Sequence, residues 1–195
     1  ASNYSSIVGG VTNKIFDNSN YSFIGGGNSN QIRHLSNYST IAGAFASEIA
    51  HNSNYSFIGG GFNNKIYSSS LYSVIGGGYQ NSIYQDSDRS FIGGGLSNII
   101  NNLANYSVIV GGKENEIYSS SYYSFVGGGW GNHIYSGSDI SGIASGFMNR
   151  IHSNSDLSFV GGGQNNFIYD SSLESSIVGG WGNEIYSSSW DSSIV

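Results

Sequence analysis

Twice in every 17 residues a polar side chain and an isoleucine stand two positions apart, with a freely varying residue between them. The first such pair is Ser-x-Ile or Ser-x-Val, as in Ser22-Phe23-Ile24, and its serine returns without a miss from Ser5 to Ser192. The second is Asn-x-Ile, as in Asn64-Lys65-Ile66, broken only by Ser47 in the place of its asparagine. The residue between Asn and Ile runs through Lys14, Glu48, Ile99, His133, Arg150 and Phe167, so nothing constrains it. Fixed, free, fixed is a period of two, and in a β-strand successive side chains point to opposite faces. Each pair therefore predicts a short strand with its polar residue and isoleucine turned inward.

A glycine run such as Gly59-Gly60-Gly61 separates the two strands, where a helix interior would lose about 1 kcal/mol per glycine relative to alanine. It fits a tight corner with positive φ. A second corner falls in the polar stretch Tyr67-Ser68-Ser69-Ser70 and its equivalents. A fixed period without insertion or deletion means one unit stacked on itself. The expected fold is all-β: a parallel β-solenoid of 17-residue coils with two strands per coil. Residues 1–195 then form a single repeat domain of about 11.5 coils, read as a segment of a longer protein because solenoids need caps. At a strand spacing of about 4.8 Å the rod would be roughly 55 Å long. Its predicted interior is one ladder through Ile24, Ile58, Ile75 and Ile92 and another through Ile32, Ile66, Ile83 and Ile100, with Asn64 and Asn81 buried and hydrogen-bonded beside them.

The outward columns hold the aromatic residues. Beside the inward serine stand Phe23, Phe57, Phe91, Phe125 and Phe159, preceded by a tyrosine column from Tyr4 to Tyr123, and two residues further on comes Gly, Ala or Val. A long apolar strip of this kind marks an interface, and the five phenylalanines are the expected interchain contact. Other aromatic columns follow the second isoleucine (Phe16, Tyr67, Tyr84) and the glycines (Phe45, Phe62, Tyr79), where stacking between coils accounts for them. Ala42-Gly43-Ala44 and Ala144-Ser145-Gly146 replace the glycine triplet six coils apart, and local irregularity is expected at both.

The units Ser22-Phe23-Ile24-Gly25-Gly26-Gly27 and Ser56-Phe57-Ile58-Gly59-Gly60-Gly61, each followed by Asn-x-Ile, resemble the head repeats of trimeric autotransporter adhesins and related bacterial and phage surface fibre proteins. The resemblance spans the chain. It implies a left-handed β-roll, often three-chained, outside the cell or on a virion. The Asn-x-Ile half also resembles the coils of grass ice-binding proteins.

Composition narrows the function classes. A net charge of −6 with 9% charged residues is too weak and too acidic for a nucleic-acid binder, and no apolar run reaches a membrane span. There is no cysteine for disulfides or thiolate metal sites. His34, His51, His133 and His152 fall in three columns, a poor metal set. The glycine runs lack a following Lys-Ser/Thr, and no Ser, His and acid share neighbouring columns, so neither a catalytic site nor a cofactor is expected. Five Asn-Tyr-Ser acceptors, Asn3, Asn20, Asn37, Asn54 and Asn105, lie in one column, and the first four fall on consecutive coils, too closely spaced for glycans. The expected function is a structural or adhesive segment of an extracellular fibre that associates with itself as a homotrimer or fibre, with a host glycan or surface receptor as a further partner. The alternative is an ice- or glycan-binding module.

Overall fold

The computed structural model describes residues 2–195 and is all-β: a parallel solenoid whose coils repeat every 17 residues. One ladder has twelve strands, from Ser6–Ile7 to Ser193–Ile194, and a second has eleven, from Lys14–Ile15 to Glu184–Ile185. Every pairing is parallel and in register, as Ile75 on Ile92 and Ile66 on Ile83 illustrate. All eight isoleucines expected inside, together with Asn64 and Asn81, are fully buried.

A third, shorter ladder goes beyond the expected two strands per coil. It pairs Gly27–Asn28, Ala44–Phe45 and Gly61–Phe62, and single bridges continue it from Phe62 through Tyr79 and Leu96 to Trp181. The glycine run is thus not only a corner. It bends at the first glycines and is extended again where the aromatic column begins.

Three corners reverse the chain in each coil, and each uses a residue in the left-handed region, with φ between 49° and 62° where that residue is not glycine. These are the columns of Ala46, Asn52 and Tyr55. A non-glycine residue there costs of order 1 kcal/mol, and the hydrogen-bond pattern shows what holds it. Strand N–H groups donate forward along the rod, as Phe57 to the Ser73 carbonyl and Lys65 to the Asn81 carbonyl. Left-handed residues turn their N–H the other way, Tyr55 to the Asn37 carbonyl and Ala46 to the Asn28 carbonyl. Corner backbone is satisfied by the coil behind and strand backbone by the coil ahead.

Inward polar side chains complete this pattern. The Ser56 N–H donates to Ser39 Oγ at 3.2 Å, and Ser56 Oγ donates to the Ser70 carbonyl of the next coil at 2.9 Å. Ser70 belongs to a second inward serine column, from Ser19 to Ser172, whose hydroxyls donate in the same way, Ser70 to the Tyr84 carbonyl at 2.7 Å. Ala104 is the one break in it, buried like its neighbours. The asparagine column does most: Asn98 Oδ1 accepts the Asn115 N–H at 3.1 Å, while Nδ2 donates to the Gly94 and Gly112 carbonyls at 2.9 and 3.0 Å. One amide ties two coils and their glycine corners together.

The third copy is irregular for a visible reason. Ser47 stands where asparagine would hold the corner, and Ala44 is outside the left-handed region that the equivalent glycines Gly27, Gly61 and Gly78 occupy at φ 90–92°. In the ninth copy the departure is smaller, with Gly146 displaced to φ 110°.

Candidate functional site

The strip and its flanking columns are the surface on which chemistry can act. The five phenylalanines sit on the outer side of the twelve-stranded ladder, on every second coil, and are 37–45% exposed, which makes them neither core nor free-standing. Each is paired in sequence with a glycine two residues later, at Gly25, Gly59, Gly93, Gly127 and Gly161. Where the first residue is small, the second is Val8, Ala42, Val110, Ala144 or Val178, with Gly76 the exception.

Geometry explains the pairing. A Cβ on Gly25, Gly59 or Gly127 would lie 3.2 Å from Cε1 of the phenylalanine in its own strand, and only 2.1–2.2 Å from a carbonyl oxygen of the next coil. The ring therefore leans along its strand over a position that only glycine can fill. On the neighbouring coil, a Cβ on Gly142 would lie 3.2 Å from the Phe159 ring. Ring over glycine on one coil and small residue plus valine or alanine on the next give an even apolar strip.

The tyrosine column along one edge of this strip behaves differently. Tyr4, Tyr21, Tyr38, Tyr55 and Tyr72 form a continuous stack with centroids 4.8–5.1 Å apart and planes within 11° of parallel. Arg89 takes the next place, its guanidinium carbon 5.3 Å from the rings of both Tyr72 and Tyr106, and it donates to the Tyr106 hydroxyl at 2.9 Å. Tyr106 and Tyr123 resume the stack. Ring faces in this column cover one another, and what reaches solvent is edges and hydroxyls. In the adjacent column Asn20, Asn37, Asn54 and Asn105 each accept a backbone N–H from the preceding coil at 2.6–2.8 Å, so these acceptor-motif asparagines form part of the hydrogen-bonded ladder.

The remaining charges are largely used within the chain. Lys113 lies over Trp130, Arg150 over Phe167, and Arg33 over Phe16 while paired with Glu48. His34 and His51 stack on each other, and among the described residues no group of three His, Asp or Glu side chains is placed to hold a metal. A shallow depression lined by Leu173, Glu174, Trp190 and Asp191 brings no nucleophile and base together.

His152 is a member of the stack Tyr118, Tyr135, His152, Tyr169 and Tyr186, and His133 lies edge-on beside it. Burial holds both imidazoles below their ordinary value; for His152 it outweighs Asp170, whose carboxylate is 3.9 Å away, and for His133 it outweighs Glu116. The neutral form is favoured in the fold, so the unfolded chain takes up protons first. This contribution is complete above about pH 6.5 and is lost as pH falls towards the lower folded values. The denaturation midpoint should therefore drop between about pH 7.5 and about pH 5, and the double variant His133→Gln, His152→Tyr should flatten that slope. An unchanged slope would remove these histidines from the account.

Sequence reasoning found both isoleucine ladders, the asparagine column and the phenylalanine row. It missed the second inward serine column, whose signal was a near-invariance second only to the first. No family model matches this chain, and no curated protein matches it.

Proposed function

We propose that this chain is a structural and adhesive segment of an extracellular surface fibre, a stiff spacer that carries a contact strip along its length. The observation that supports it best is the unbroken twelve-stranded ladder with serine and asparagine side chains bonded from coil to coil. Bending such a rod would stretch one side of every axial column at once. The resemblance to adhesin heads and surface fibres points the same way, and the apolar strip supplies the adhesive part.

A second reading, lateral association of chains through the strip into a trimer or fibre, is favoured by one observation. Phenylalanine and small residues alternate on successive coils, so the strip is its own complement when shifted by one coil. Immunogold labelling of intact source cells or virions tests the main reading. It predicts label on external filaments, and label that needs permeabilisation would contradict it. Sedimentation tests the second: it predicts a multiple of the 20.7 kDa chain mass.

A further inference from the structure

We propose that the phenylalanine row is a binding platform for an extended β-1,4-linked glucan lying parallel to the rod. The inference rests on the adhesive reading above and names the partner of its strip.

Spacing is the first argument. In a β-1,4-linked chain of glucose each sugar is turned by half a revolution from the last, so alternate sugars present the same C–H face to one side. A complementary protein needs aromatic faces at the disaccharide repeat and no bulk between them. Phe57, Phe91 and Phe125 occupy every second coil, with Val74 and Val108 between them. Two coils span about 9.6 Å at the usual strand spacing, close to that disaccharide repeat. The row keeps this interval over nine coils, from Phe23 to Phe159.

Ring orientation is the second. The rings lean over glycines and are partly exposed, and among the described residues none of the five has another aromatic ring stacked on it. Unstacked and partly exposed, they can be reached by a sugar. The neighbouring tyrosines, by contrast, have spent their faces on one another and offer hydroxyls along the edge, where a glucan carries its equatorial hydroxyls.

Charge is the third. Neither the phenylalanine column nor the column two residues later holds a single charged residue along the whole chain. An uncharged polymer with apolar faces fits this strip, and a polyanion finds nothing there to pair with. From Phe57 to Gly127 neither column carries a polar side chain to bond an acetamido group, which favours glucan over its N-acetylated relative.

The test is depletion of the purified chain from solution by microcrystalline cellulose, with chitin as the contrast and sedimentation run in parallel. The wild type should be depleted by cellulose. The triple variant Phe57→Ser, Phe91→Ser, Phe125→Ser should bind at least tenfold more weakly with its circular dichroism unchanged. A permuted variant, Val74→Phe with Phe91→Val, decides between spacing and general stickiness. It keeps the composition and apolar area, and Gly76 leaves room for the moved ring. It should lose several-fold in affinity.

Wild-type protein that ignores cellulose, prefers chitin, or binds equally well in the permuted variant overturns the inference. A chain that ignores cellulose but sediments as a multimer, and becomes monomeric in the triple variant, overturns it too and assigns the strip to a second copy. None of these results touches the rod as a spacer, which stands or falls on the labelling of external filaments.

Discussion

Replacing Ile83 by Asp should unfold the middle of the rod. Ile83 is fully buried and stacked between Ile66 and Ile100. An uncompensated buried charge costs roughly 3–5 kcal/mol. In a stack where each coil touches only its neighbours, that cost falls on the two interfaces of one coil and divides the cooperative unit. Thermal melting followed by circular dichroism should show a large drop in midpoint or two separate transitions. Ile83→Val, which removes one methyl group, should cost only about 0.5–1.5 kcal/mol and keep a single transition. An Asp variant melting with the wild type would mean that this column is not inside.

The second large effect is expected at Asn98. Its side chain is fully buried; its Oδ1 accepts the Asn115 N–H and its Nδ2 donates to the Gly94 and Gly112 carbonyls at the partly exposed glycine corner. Alanine leaves these groups without their side-chain partner, at about 1–3 kcal/mol for each buried group that stays unsatisfied. Aspartate is the sharper probe. It keeps the acceptor for Asn115 but turns a carboxylate oxygen towards two carbonyl oxygens, so at neutral pH Asn98→Asp should be less stable than Asn98→Ala. The opposite order in chemical denaturation would show that the amide donors are dispensable and that the corner is held by its backbone alone.

The two probes differ in how far their roles were readable from the sequence. Ile83 was legible because alternation is local: three consecutive residues suffice to say which way each points. Asn98 was legible as inward and hydrogen-bonded, but its division of labour between one N–H and two carbonyls depends on where the next coil's glycines lie. The left-handed corner at Tyr55 was not legible at all. Tyrosine rarely takes that conformation, and it is held there because the chain behind offers the Asn37 carbonyl to its N–H, a contact made 18 residues away. The third ladder was hidden for a similar reason, since glycine runs signal corners and the extended stretch at Gly61–Phe62 shows only when coils are stacked. On the strip, the sequence marked the phenylalanines as outward. That the rings of Phe23, Phe57, Phe91 and Phe125 lean over the glycine two residues on, while Phe159 lies against Gly142, required the distances between those glycines and the rings.

The central claim is that residues 17 apart sit directly above one another along a straight axis, which is what makes any row on this rod a ruler. Pulsed dipolar spectroscopy on spin-labelled cysteine pairs measures it, and the chain has no cysteine of its own to interfere. With one label at Ser68 and the second at Asn102, Ser136 or Asp170, the separations should rise by equal steps of about 9.6 Å for each two coils. Unequal steps, or a distance that stops rising along the series, would contradict an in-register solenoid and every surface read from it.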